Sequence, residues 1–296
     1  MLEVIKRAIK YILYGIPTEK TLKCNVVVSQ STNRLLGKNI LITGGGRGLG
    51  FYIARKCISE GANVVITGRN EDTLKKSSKE LKCHYIPYDL SNISNIPEML
   101  NVAVNMLDGR IDCLVNNAGI SLHEKNMMEV TLETFDRQLD VNLKAPYFLT
   151  QNFIKHCIDV ENRNASIVFV SSERGLYCDE IPYGLIKVAI NSLTRGVARR
   201  HIRNGIRVNA IAPGITESDM TIVDRNKNMA SEYNCGGRFF LPEEVAETTA
   251  FILSDEASCI NGEVIACDQG NYLRWVSGFF RLVTPYVRNK VLPACT

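Results

Sequence analysis

The sequence predicts an α/β fold, a single doubly wound domain around a seven-stranded parallel sheet with a short helical extension at each end. Three observations predict it. Short apolar runs alternate with stretches of helical periodicity from residue 38 to about residue 266. A glycine-rich turn follows the first run and opens the first helix. The composition, 45% hydrophobic and 22% charged over 296 residues, supplies enough apolar side chains for one large core.

The elements follow in order. Residues 39–43 read as the first strand, and a helical pattern runs from the glycine turn to about residue 60. Residues 63–67 form a second strand and 71–81 a polar helix; 83–86 form a third strand and 93–107 a helix. The fourth strand is expected over 111–115, followed by one long helix over about 131–159. Strand 166–170, helix 182–203 and strands 206–211 and 263–266 complete the pattern. Apolar strands joined by helices imply right-handed crossovers and a sheet covered on both faces. No linker, repeat or low-complexity tract interrupts residues 38–272. The expected organisation is an amphipathic extension over 1–36, one domain over 37–272 and a basic tail over 273–296.

Charge narrows the function classes. The net charge is only +4, and both ends are basic: Arg274, Arg281, Arg288 and Lys290 stand in the tail without an acid. The body is therefore slightly acidic, which excludes a nucleic-acid binder with its cationic footprint on the fold. The four histidines show no metal-ligand spacing, and the ten cysteines are scattered from Cys24 to Cys295 without a CxxC pair. We expect no metal site and reduced thiols in the cytoplasm. On a helix, Leu2, Ile5, Ile9, Ile12 and Ile16 share one face beside Lys6, Arg7 and Lys10; Trp275, Phe279 and Val283 behave similarly. Such ends fit a helix packed on protein or one lying peripherally on an anionic membrane.

The turn Thr43-Gly-Gly-Gly-Arg-Gly-Leu-Gly50 stands where a Rossmann-type fold binds a dinucleotide. Glycines there let backbone N–H groups approach a pyrophosphate at a helix N-terminus. The second strand ends at Gly68-Arg69, where an NAD site usually presents a carboxylate to the ribose. Arg69, and Arg47 inside the turn, favour NADP(H) over NAD(H). Farther on, Tyr183 and Lys187 stand four residues apart, on one face of a helix, after a strand ending in Ser171-Ser172. A nearby ammonium lowers the pKa of a phenol toward the range useful for proton transfer, and a serine hydroxyl can polarise a carbonyl.

Taken together, these residues resemble the short-chain dehydrogenase/reductase family over residues 37–272, most closely its 3-oxoacyl-[acyl-carrier-protein] reductase-like branch. The resemblance implies that Thr43, Gly44, Arg47, Gly48, Leu49 and Gly50 bind the cofactor phosphates. It implies Asp89 and Leu90 at the adenine, Asn116, Ala118 and Gly119 along the cofactor, and Pro213 and Gly214 beside the nicotinamide. It assigns catalysis to Ser172, Tyr183, Lys187 and Asn142, with Tyr183 and Lys187 also touching the cofactor. The implied activity is interconversion of a carbonyl and a secondary alcohol on a small-molecule substrate, in a homodimer or homotetramer. The alternative is a catalytically silent NADP(H)-binding sensor or scaffold of the same fold. One departure stands out. Family members generally carry the serine thirteen residues before the tyrosine, whereas Ser172 precedes Tyr183 by eleven, across a loop bearing Glu173, Arg174, Asp179 and Glu180. Ser172 is chosen over Ser171 because it begins Ser-Glu-Arg-Gly175, the family's SxxG.

Overall fold

Alternation within the strands decides which side chains meet. In β1 (Asn39–Thr43), Ile40 and Ile42 join one apolar cluster while Leu41 joins another across the sheet. The same division separates Val64 and Ile66 from Val65 in β2 (Asn63–Gly68), and Cys113 and Val115 from Leu114 in β4 (Cys113–Asn116). In β5 (Ala165–Val170), Val168 and Val170 face one way and Ile167 and Phe169 the other. With period two, a strand that is apolar on both faces must be covered on both.

The computed structural model describes residues 22–23 and 32–273. One layer over the sheet holds α1 (Gly48–Ser59), α2 (Glu71–Leu81) and α7 (Pro242–Leu253). The other holds α3 (Ile96–Met106), α5 (Ala145–Asp159) and α6 (Pro182–His201). Each fully buried aliphatic chain contributes about 1.5–3 kcal/mol, so the two layers supply most of the driving force for folding. With β3 (His84–Pro87), β6 (Ile206–Pro213) and β7 (Val264–Cys267), the sheet runs β3-β2-β1-β4-β5-β6-β7, all parallel. The winding reverses between β1 and β4, which opens a crevice at their C-terminal ends.

The expected sheet and its seven strands are present, with β3, β4 and β7 displaced by one or two residues. Ile111 and Asp112 stay outside β4 because the Asp112 carboxylate accepts the Asn39 N–H at 2.9 Å and anchors the approach to the sheet. The helix expected over 131–159 is not continuous. Thr131 caps α4 (Leu132–Leu139), and a π-helical turn over Asp140–Lys144 separates α4 from α5. A smooth apolar periodicity does not reveal one extra residue in a turn. The core also reaches back beyond residue 37: Leu35 is fully buried, and Thr32 and Arg34 hydrogen-bond the buried Glu60 at the end of α1. The amphipathic segments Leu2–Ile16 and Trp275–Val283 lie outside the described residues. No described helix is long and apolar enough to cross a membrane.

Candidate active site

The floor of the crevice is built by hydrogen bonds between β1 and the loop after β4. The Thr43 hydroxyl accepts the N–H groups of Asn117 and Ala118, both at 3.0 Å, and is itself buried. Asn117 returns its amide to the carbonyls of Thr43 and Gly44, at 2.8 and 3.2 Å. This closeness demands glycine. A Cβ on Gly50 would stand 2.2 Å from the Gly44 carbonyl oxygen, and one on Gly44, whose φ is +66°, 2.9 Å from the Ala118 Cα. Thr43 therefore shapes the turn, and Gly44, Gly48, Leu49 and Gly50 line it. The N-terminus of α1 has no side-chain cap and no acid in its first turn. Its N–H groups remain open toward the crevice, the arrangement a pyrophosphate fits.

Around that turn stand the other candidate cofactor residues. The register pairs Thr43 with Thr67, so Arg47 and Arg69 follow the C-terminal ends of neighbouring strands. Arg69 is exposed; the neighbouring Asn70 side chain is occupied by the Thr73 N–H at the start of α2. Arg47 instead pairs with Asp219, at 3.0 Å and with both side chains 72% exposed, in the segment between β6 and α7. Asp89 accepts the N–H and hydroxyl of Ser91, both at 2.9 Å, and fixes the turn after β3 beside the buried Leu90. Asn116 is buried at the end of β4, with its amide on the Thr150 hydroxyl. Pro213 ends β6, and the Gly214 N–H donates to Cys267 at 3.1 Å; a Cβ there would meet the Phe240 ring at 2.5 Å.

The candidate catalytic residues gather where β5 meets α6. Ser171 and Ser172 point differently, as strand alternation requires. The Ser171 hydroxyl is buried against Asn191 Oδ1 at 2.6 Å, whereas the Ser172 hydroxyl accepts the Arg174 N–H at 3.2 Å and lies close enough to Tyr183 to favour its ionised form. Lys187 lies one turn farther along α6, its ammonium 5.5 Å from the centre of the Tyr183 ring. Burial pulls that ammonium down to about 8, and it donates to the Val170 carbonyl at 2.8 Å. The ammonium thus stands beside the Tyr183 ring while the Val170 carbonyl holds it in place. Burial raises the Tyr183 pKa; the nearby Ser172 hydroxyl and the Arg174 charge oppose that rise, and Glu173 adds to it. Asn142 sits in the π-helical turn with both ends of its amide on Ile120, N–H to Oδ1 and Nδ2 to carbonyl, each at 2.8 Å. A Cβ on Gly119 would lie 3.3 Å from Asn142 Oδ1 and 3.9 Å from Lys187 Nζ, so these elements converge on one point.

Two groups are absent from the candidates drawn from sequence. Asn117 is one; its place as the second asparagine of a pair between strand and glycine was the available signal. The other is the Arg174–Asp179 pair, in a loop the sequence marks only as short and charged.

Residues 44–271 match the family described as Enoyl-(Acyl carrier protein) reductase. The 3-oxoacyl-[acyl-carrier-protein] reductase of Aquifex aeolicus is 35% identical over 249 residues, which cover 81% of this chain and 99% of that one. Its counterpart in Thermotoga maritima is 36% identical over 246 residues, covering 80% and 98%. Among solved structures, the 3-ketoacyl-(acyl-carrier-protein) reductase of Brucella melitensis complexed with NADH gives a TM-score of 0.74 at 29% identity, covering 80% and 99%. A short-chain type dehydrogenase/reductase from Mycobacterium ulcerans gives 0.75 at 26%, covering 84% and 95%.

Proposed function

The chain belongs to the short-chain dehydrogenase/reductase family, and from that premise we propose that it is an NADP(H)-dependent oxidoreductase interconverting a carbonyl and a secondary alcohol. The observation that carries this reading is the convergence of Tyr183, Lys187 and Asn142 on one point, with the Lys187 ammonium 5.5 Å from the Tyr183 ring, at the end of a crevice opened by the glycine turn. When bound, the cofactor supplies or accepts a hydride at nicotinamide C4. Tyr183 gives its phenolic proton to the oxygen that gains charge in reduction and takes it back in oxidation. Ser172 holds that oxygen by a hydrogen bond that strengthens as charge develops. Lys187 holds the nicotinamide ribose, and Asn142 fixes the loop of Ile120 and completes the proton relay. Gly48, Leu49 and Gly50 receive the pyrophosphate, while Arg47 and Arg69 favour a 2′-phosphate in place of a bare ribose hydroxyl.

A small-molecule carbonyl is the substrate class; the relatives' names place a 3-oxoacyl thioester among the first compounds to try. The proposal includes a homodimer or homotetramer, since Phe135, Tyr147, Phe148, Leu185 and Val188 remain exposed on α4, α5 and α6. The test is oxidation of NADPH and NADH, followed by reduced-nicotinamide absorbance, across 3-oxoacyl thioesters, diketones, quinones and keto sugars. Turnover with NADPH is expected, with a loss of about a thousandfold in Tyr183→Phe. Undiminished turnover in that variant would overturn the role of Tyr183, and binding of neither nucleotide would overturn the whole reading.

A further inference from the structure

The Lys187 ammonium stands at the Val170 carbonyl and beside the Tyr183 ring. A second cation stands in the loop after β5. Arg174 forks onto Asp179, with Nε to Oδ2 at 2.6 Å and Nη2 to Oδ1 at 2.7 Å. Two parallel charge-assisted bonds fix a guanidinium in position and orientation. Asp179 is itself held, because its Oδ1 accepts the N–H groups of Glu180 at 2.8 Å and Ile181 at 3.2 Å, just before α6 begins. A Cβ on Gly184 would stand 1.9 Å from Asp179 Oδ2, so the residue after Tyr183 must be glycine for this pair to form. At its other end Arg174 donates its backbone N–H to the Ser172 hydroxyl oxygen at 3.2 Å. One residue thus grips both the serine and the base of the tyrosine helix, across a loop two residues shorter than is general in the family.

We propose that Arg174, locked onto Asp179, is the positioning residue of this site: it closes the short loop between Ser172 and Tyr183 and sets a cation at the base of the tyrosine helix. The inference rests on the reading of Tyr183 as proton donor and acceptor. The charged and titratable groups facing the phenol are Lys187 from α6 and Glu173, Arg174 and Tyr177 from the loop, with Asp179 acting through Arg174. Of these, Arg174 is the cation whose charge opposes the effect of burial on Tyr183.

A clamp alone and a clamp that also supplies charge make different predictions. Arg174→Gln removes both fork and charge; Asp179→Asn loosens the fork and keeps the charge. The measurement is a phenolate absorbance titration of the full chain loaded with NADP+. Subtracting the matching Tyr183→Phe protein isolates the Tyr183 signal in each case. Arg174→Gln is expected to raise the Tyr183 midpoint by about half a unit to one unit. Arg174→Lys should keep most of the wild-type value, and Asp179→Asn should leave it unchanged or lower it. The double variant Arg174→Gln/Asp179→Asn retains an amide hydrogen bond across the loop; it should rise like Arg174→Gln and guards against a single variant that does not fold. Equal rises in Arg174→Gln and Asp179→Asn, or no movement in Arg174→Gln and the double variant, would overturn the inference. Failure of the Tyr183 assignment shows separately, as turnover that survives Tyr183→Phe.

Discussion

Glutamate 60 offers the sharpest quantitative test of how this fold is held. Its carboxylate is fully buried at the end of α1, 2.8 Å from the Lys56 ammonium and 3.1 Å from the Arg34 guanidinium, with the Thr32 N–H at 3.0 Å. Burial alone would raise its pKa, but the Lys56 ammonium and the hydrogen bonds from Thr32 and Arg34 outweigh that and hold it at about 2. An unfolded chain returns it to about 4.3, a difference worth about 3 kcal/mol of stability at neutral pH. The folded value is the lower one, so this stability is complete above the unfolded pKa and disappears as pH falls toward the folded one. Glu60→Gln keeps the shape and removes the charge. Urea unfolding followed by circular dichroism should place the variant about 3 kcal/mol below wild type at pH 7, with the difference falling to about half that near pH 3. A difference below about 0.5 kcal/mol at neutral pH, or one unchanged down to pH 3, would refute the reasoning.

Other outcomes follow from the site. Gly50→Ala should weaken NADPH binding at least tenfold in a fluorescence titration, because its methyl meets the Gly44 carbonyl and the Asn117 amide. Ser172→Ala should lose about a hundredfold or more in turnover. Ser171→Ala should instead lower the unfolding free energy by about 1–2 kcal/mol and leave most activity, since its hydroxyl serves Asn191 in the interior. Arg69→Glu should turn the preference from NADPH toward NADH in the ratio of kcat/KM values, by roughly tenfold or more.

Much of this architecture was legible because it is written in short-range pattern. Apolar runs of four to eight residues between turns announce buried strands, and the glycines after β1 announce a backbone that must come close to something. Tyr183 and Lys187 were legible through helical spacing, and Ser172 through the motif it opens. The rest depends on contacts between residues far apart in sequence. Nothing local marks Leu35 as core or Glu60 as the anchor of residues 32–34; both follow from how that segment passes between α1 and α7. The position of the Lys187 ammonium depends on the Val170 carbonyl, seventeen residues before it. Arg174 and Asp179 read as two surface charges until the fold brings a glycine of α6 against the acid.

The π-helical turn at Asp140–Lys144 solves a problem of phase. Gln138 and Cys157 both lie on the buried side, yet five α-helical turns account for about 18 residues and the interval between them is one longer. The wide turn absorbs that residue. It allows α4 to deliver Asn142 to Ile120 while α5 still lays Leu149, Phe153 and Cys157 into the core. A regular α-helix through the same residues would rotate one half against the other by about 100°. The chain could then keep the asparagine or the core face in place, and not both.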